Sequence, residues 1–407
     1  MKTPISILFL ASSVFLFGCS SLQNVDDYKP MPAATADANT TQQHFSEPIF
    51  STPKPPIFSA QSTAEGKQKK TNSHTETAAT NKDIWNRIRN GYQLGTPPQQ
   101  AAIERYRNQY VTHPHLTKEI LLRGGRYLHF IVEEAEKRNM PLEVALLPMV
   151  ESAFDPFVVS SGKAAGPWQF IPSTGKAFGL TQNAWQDDRR DIIASTRAAL
   201  DYLQQIANRF DGDWLLAIAS YNAGPGNVSR AIRRNQARGL PTDYWSLSIS
   251  AENDAYLPKL FAVADIVRHP EKYNLTLPHV PNEPYFKVVR LPSQISLQQA
   301  AELAGISEEE VKLLNASFKQ GYTSPNGPHR LLVPVAQAGH FHERLQTATL
   351  HKPRKVVASN GQGQYTVQSG DSLSLIAQRF NTTVVALQQA NGINNHHILV
   401  GQSLTIR

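Results

Sequence analysis

The chain has 407 residues, too long for one ordinary core, so two or three domains with linkers are expected. Its 40 Lys and Arg against 33 Asp and Glu leave a net charge of +7, which favours an anionic partner or surface. No basic run with interleaved aromatics supports nucleic-acid binding, since the densest cluster, Arg230 to Arg238, reads as one solvated helix face. The single cysteine, Cys19, excludes a disulfide framework within the chain.

The first residues, MKTPISILFLASSVFLFGCSS, carry one Lys and then an apolar run from Ile5 to Gly18. That run is short for a bilayer span and has the shape of a secretory signal over residues 1–18. Its end, LFGC (Leu16 to Cys19), resembles the lipobox of bacterial lipoproteins. The resemblance implies lipidation of Cys19 and attachment to a membrane through acyl chains. Ser20 in place of Asp implies, within that family's sorting pattern, the periplasmic face of the outer membrane. Residues 19–82 are rich in Thr, Ala, Pro, Ser and Gln and cannot bury enough apolar surface to offset their ordering entropy, so they read as a tether.

From Asp83 the pattern becomes helical: IWNRIRNGY, QQAAIERYRNQYVTH, LLRGGRYLHFIVEEAEKR and PLEVALLPMVE follow one another. IIASTRAALDYLQQIANRF sets Ile192, Ile193, Leu200, Leu203, Ile206, Ala207 and Phe210 on one stripe. DWLLAIASYNAGPG reads as a helix entered at Asp211 or Asp213 and ended by its Gly and Pro. Strand alternation is scarce up to Tyr273, so residues 83–277 form a mainly α body.

After Pro278 a strand (YFKVVRL), two short helices and a second strand (RLLVP) are expected within 283–336. The C-terminus repeats the order over 364–407: a shift of 76 positions aligns Leu297 with Leu373, Ala301 with Ala377, Val311 with Leu387 and Asn315 with Asn391. Residues 337–363, most clearly the polar stretch His351 to Gly363, are read as linker. In the C-terminal copy Ser372 suits the cap of the first helix and Thr382 or Thr383 that of the second, while Gly370 and Gly392 permit turns. YTV, GDSL, L-x-x-x-N and V-G-Q-x-L-x-I occur there in the order of the LysM module, which this segment resembles nearly end to end. The resemblance implies binding of N-acetylglucosamine-containing glycans through Gly370, Asp371, Ser372, Leu373, Asn391, Gly392 and Ile393. Turn and cap chemistry explains Asp371 and Asn391 equally well. The earlier copy has Gln294 and Ile295 where the Gly-Asp pair stands, so it looks like a degenerate LysM-like unit, either spacer or second sugar site.

Glu151 closes the apolar run VALLPMV. Taken alone it suits a helix end or surface, but a carboxyl in a low-polarity setting also retains its proton, as a general acid must. Glu151-Ser152, then GPWQF (Gly166 to Phe170), then Tyr221-Asn222-Ala223-Gly224 resemble, in order and spacing, the lytic transglycosylases with a goose-type lysozyme-like domain. GPWQF and Ser220 depart from the common forms toward the branch with C-terminal LysM modules, and Tyr256 in ENDAYLPKL matches the remaining element. What the resemblance implies is a lysozyme-like helical domain cleaving peptidoglycan strands, with Glu151 as acid and then base. Ser152 would orient substrate or carboxyl, Gln169 would line the cleft, Tyr221 and Asn222 would lie near the scissile sugar, and Tyr256 would complete the pocket. Trp168 suits either a sugar platform or core packing.

No second carboxylate has an evident place: Pro156 separates Asp155 from the helix of Glu151, Asp187 and Asp188 lie in a loop, and Asp201 suits a solvated face. Such a single-acid site implies that the muramyl 2-acetamido group assists and that the C6 hydroxyl closes onto C1, leaving a 1,6-anhydro end. The alternatives are a hydrolytic muramidase and a catalytically silent wall-binding lipoprotein. The histidine pairs His113/His115, His340/His342 and His396/His397 lack further ligand spacing, so neither metal nor other cofactor is expected.

Overall fold

The computed structural model describes residues 82–98, 100–327, 329–350, 363–368, 371–380, 382–395 and 397–406. The expected signal, Cys19, the tether up to residue 81, and Gly370 lie outside them. Asp83 caps the first described helix, α1 (Ile84–Asn90), by accepting from the Trp85 amide at 2.9 Å. There follow α2 (Gln100–Val111), α3 (Pro114–Gly124), α4 (Leu128–Glu136), a 3₁₀ segment (Leu142–Leu146), α5 (Leu147–Ser152) and α6 (Pro172–Ala177). Then come α7 (Ile192–Arg209), α8 (Trp214–Ala223), α9 (Pro225–Ala237), α10 (Ala251–Asp254) and α11 (Tyr256–Arg268). Asp191, Asp213 and Ser250 cap α7, α8 and α10, and a Pro in the first turn opens α3, α5, α6 and α9.

Helix α8 is the centre. It is apolar around its whole circumference, with residues Leu216 to Ser220, Asn222 and Ala223 buried, and α7, α9 and α11 pack around it. The α7 stripe is broader than expected, because Ser195, Thr196, Ala198 and Ala199 are buried beside Leu200 and Leu203 while Ile193 and Phe210 are only half-buried. The segment LLRGGRYLHFIVEEAEKR is not continuous: α3 stops at Gly124, where a Cβ would lie 2.7 Å from the Phe154 ring, and α4 restarts at Leu128. The arginines of α9 are exposed, while Val228, Ala231 and Asn235 face inward. Among the described residues no helix is long and apolar enough to cross a membrane.

In the next unit β1 (Phe286–Arg290) pairs antiparallel with β2 (Arg330–Pro334), from Phe286 opposite Pro334 to Arg290 opposite Arg330, around α12 (Leu297–Ala304) and α13 (Glu308–Leu314). The expected linker is shorter than 337–363, because α14 (Val335–Thr347) occupies its beginning. Its apolar positions Ala338 and Phe341 recur at helical spacing, and Phe341 is fully buried in this unit's core, so polar composition concealed a packed helix. The last unit repeats the plan with β3 (Gly363–Thr366), α15 (Leu373–Arg379), α16 (Val384–Asn391) and β4 (Ser403–Ile406), β3 antiparallel to β4.

Candidate active site

Glu151 stands in the last turn of α5, and the chain reverses immediately after it. Ala153 and Phe154 both adopt left-handed backbone, with φ of 52° and 58°, although neither is Gly. Such residues cost of order 1 kcal/mol each, so the surroundings must impose them. Phe154 is fully buried against Gly124, its amide donates to the Pro148 carbonyl at 3.0 Å, and Arg123 Nη1 donates to the Ala153 carbonyl at 2.9 Å. This reversal ends the helix with Glu151 half-buried at the body's centre.

Tyr256, the first residue of α11, donates its hydroxyl to Glu151 Oε1 at 2.5 Å. Burial pushes the Glu151 carboxyl up to about 7, against the opposing pulls of the Tyr256 hydroxyl and the positive charge of Lys259. Lys259 lies one turn beyond Tyr256, with its ammonium 5.5 Å from the centre of the Tyr106 ring, and burial lowers its own pKa. Tyr256→Phe therefore removes a hydrogen bond that favours the carboxylate. The alkaline limb of the pH–rate profile is expected to move up by about one unit; a downward move would contradict this arrangement.

Two of the other motif residues, Ser152 and Tyr221, bond to the loop Gly166 to Phe170 that carries Gln169. Ser152 is 1% exposed and its hydroxyl lies 3.1 and 3.0 Å from the carbonyls of Pro148 and Pro167, so it ties α5 to the loop. Tyr221 donates to the Trp168 carbonyl at 2.7 Å and continues an aromatic row with Phe170, Tyr202 and Phe178. Gln169 is buried with φ of 47°; its side-chain amide donates to the carbonyls of Gly166 and Val158, and its Oε1 takes no hydrogen bond from the described residues. Trp168 is fully buried and donates to Thr196 Oγ1 at 2.9 Å, which makes it core and not a sugar platform. Asn222, also buried, accepts from Asn253 Nδ2 at 2.7 Å, and Asn253 is fixed in turn by Ser250.

Arg189 holds the same loop from outside. Its Nη1 donates to the carbonyls of Lys163 and Phe170 at 2.7 and 3.1 Å, while Asp187 fixes the rest of the guanidinium. Gly166, with φ of 80°, passes so near that an added Cβ would lie 1.9 Å from the Arg189 carbonyl oxygen. Gly166→Ala is accordingly expected to cost at least about 3 kcal/mol of stability in urea unfolding; a loss under about 1 kcal/mol would contradict this packing. Sequence reasoning missed Lys259, Asn253 and Arg189. Only Lys259 carries a signal there, its position one helical turn from Tyr256.

The four aspartates weighed as a second carboxylate are engaged elsewhere. Asp155 accepts from the Phe157 amide, Asp187 pairs with Arg189, Asp188 accepts from the Thr181 amide, and Asp201 pairs with Arg138 at the surface. In the last unit Thr383 caps α16, and Ser372 Oγ accepts from the Leu375 amide. Asp371 accepts from the Tyr365 hydroxyl and the Gln368 amide. Asn391 clamps helix to strand: it donates to the carbonyls of Leu387 and Thr405 and accepts from the Thr405 amide. Asn315 makes the same three-way clamp with Val311 and Leu332 in the preceding unit. Leu373 is core, Ile393 packs against that core, and Gly392 turns with φ of 64°.

The chain, a helical body followed by two small βααβ units, matches three family models in order. Residues 129–241 match the Transglycosylase SLT domain, 285–349 the LysM-like domain of lytic transglycosylase MltD, and 365–407 the LysM domain. The protein is thus an SLT-type lytic transglycosylase with a LysM-like unit and a C-terminal LysM domain, a combination that supports binding of peptidoglycan glycan. More narrowly, the chain belongs to the family of membrane-bound lytic murein transglycosylase D: it is 35% identical to the Escherichia coli (strain K12) protein of that name over 401 residues, 98% of this chain and 84% of that one. A stretch of 59 residues, 14% of this chain, is 44% identical to 18% of N-acetylmuramoyl-L-alanine amidase sle1 from Staphylococcus aureus (strain USA300). The X-ray structure of an inactive mutant of lytic transglycosylase Slt from Pseudomonas aeruginosa is similar over 36% of this chain and 24% of that one, at 26% identity and a TM-score of 0.29, too partial a likeness to bear on the fold.

Proposed function

We propose that the protein cleaves the β-1,4 bond between N-acetylmuramic acid and N-acetylglucosamine without water, leaving 1,6-anhydromuramyl ends, in turnover and remodelling of the cell wall. The arrangement that supports this most is the Glu151 carboxyl in the last turn of α5 with the Tyr256 hydroxyl on its Oε1, a setting whose burial raises its pKa to about 7. Glu151 gives its proton to the glycosidic oxygen as the C1–O bond breaks, and the muramyl 2-acetamido group supports the charge at C1. The carboxylate so formed then takes the C6 hydroxyl proton while O6 bonds to C1, which returns Glu151 to its starting state. In this reading Asn222 meets the sugar beside that bond, and the Tyr256 hydroxyl, bonded to Glu151 Oε1, holds the carboxyl in position. In the last unit, Asp371 and Asn391 shape the glycan-binding loops, so the glycan contacts fall to main-chain groups of Asp371 to Leu373 and Asn391 to Ile393. Lipidation at Cys19 would hold the enzyme on the periplasmic face of the outer membrane, with residues 20–82 as reach.

Mass spectrometry of fragments released from soluble glycan strands tests the reaction. The expected product is one water lighter than the hydrolytic one and carries no reducing end; incorporation of ¹⁸O at C1 from labelled water would establish a muramidase instead.

A further inference from the structure

The degenerate LysM-like unit is joined to the catalytic body by a common core. Along β2, Leu331 and Val333 face the unit's own helices, while Leu332, with Phe286 and Leu314, belongs to the core of the catalytic body. The rings of Phe286 and Phe130 lie 5.7 Å apart. Arg126, its side chain 1% exposed, forks onto Glu310 with its Nη2 2.7 Å from Oε2, and Glu310 also accepts from the Tyr285 hydroxyl. A desolvated, bidentate pair of this kind fixes orientation and tolerates little sliding.

The two loops that would flank a sugar groove in this unit are bonded to each other. Thr323 donates its amide to the Ile295 carbonyl at 3.0 Å and accepts the Ile295 amide on Oγ1 at 3.1 Å, and the Leu297 amide donates to the Gly321 carbonyl at 2.8 Å. Thr323 and Ile295 are both fully buried. The same segment then runs onto the catalytic body: the Asp187 amide donates to the Ser317 carbonyl, and the Lys319 amide to that of Trp185, both at 2.9 Å. Arg330 pairs with Asp191 at 2.8 Å. On its other side this Trp185–Asp191 stretch presents Arg189 to the Gly166–Phe170 loop.

We infer that the LysM-like unit has exchanged glycan binding for a bracing role at the active-site loop, and that Arg189 is the positioning residue that carries the support across. The inference rests on Glu151 being the site of cleavage. Without the brace the Gly166–Phe170 loop moves by a fraction of an ångström, which misplaces the sugar and admits water to Glu151. Affinity for the glycan, supplied elsewhere, remains.

The experiment uses the full chain and its Arg189→Met and Arg189→Lys variants, with soluble uncrosslinked glycan as substrate. Arg189→Met is expected to lower kcat roughly 10- to 100-fold with KM within about twofold. Its alkaline pH limb should shift to lower pH as Glu151 becomes better hydrated. Arg189→Lys should restore part of both effects and serves if the Met variant folds poorly. In hydrogen exchange with chitohexaose, protection is expected within residues 365–407 and none at 292–298 or 318–325. Three results would overturn the brace: raised KM with unchanged kcat, a pH limb that does not move while activity falls only with the folded fraction, or chitohexaose protection at 292–298. Failure of the unaltered protein to cleave glycan would instead sink the proposed function, which keeps the two separable.

Discussion

Glu151→Gln is expected to lower kcat on soluble glycan by about 10³-fold or more, because it removes the proton donor and the later acceptor in one step. Retention on sacculi should be unchanged, since the LysM unit is untouched. In the unaltered protein, activity should fall as pH rises through about 7, where the buried carboxyl gives up its proton. Comparison of kcat and sacculus pull-down for both proteins checks this. A variant that keeps more than about a tenth of the activity would remove Glu151 from the chemistry, since general acids typically contribute two to four orders of magnitude. Loss of sacculus retention together with activity would show that the substitution had disturbed folding.

The second large effect is on stability, and it runs opposite to activity. The folded carboxyl keeps its proton up to about 7, whereas an ordinary Glu releases it near 4.5. Between those values the folded state binds more protons than the unfolded one, so folding stability falls as pH rises. Below the lower value no cost exists; above the upper one it is fully in force. Glu151→Gln, which cannot ionise, should therefore stabilise the protein above neutral pH by up to about 3 kcal/mol. At about pH 4 the two proteins should unfold alike in urea. An equal difference at both pH values would show that Gln acts through packing and not through the buried charge.

Local chemistry is readable from the chain. Asp83, Asp213, Ser372 and Thr383 cap the helices they precede, and the alignment of Asn315 with Asn391 implies an equivalence that the two identical clamps bear out. Glu151 is legible because an acidic residue after an apolar run is unusual, and the mainly α body follows from periodicity alone. What stays hidden is set by distance along the chain. Ser152 and Tyr221 bond to Pro167 and Trp168 across 15 and 53 positions, and nothing local in either residue announces that the loop is its target. The left-handed pair Ala153 and Phe154 carries no Gly or Asn to mark it, since Arg123 and the Phe154 pocket enforce the conformation. Helix α14 reads as linker in the sequence because its two buried apolar residues, Ala338 and Phe341, are few against its polar composition. Arg189 resembles any other surface arginine until its carbonyl partners are known.

The most direct measurement on the central claim is a titration of the Glu151 carboxyl itself, followed by infrared difference spectroscopy between the unaltered protein and Glu151→Gln. If burial holds the proton there, a carboxylic-acid band survives to near-neutral pH and disappears with a midpoint of about 7. A midpoint near 4.5, the value of an ordinary solvated Glu, would contradict it.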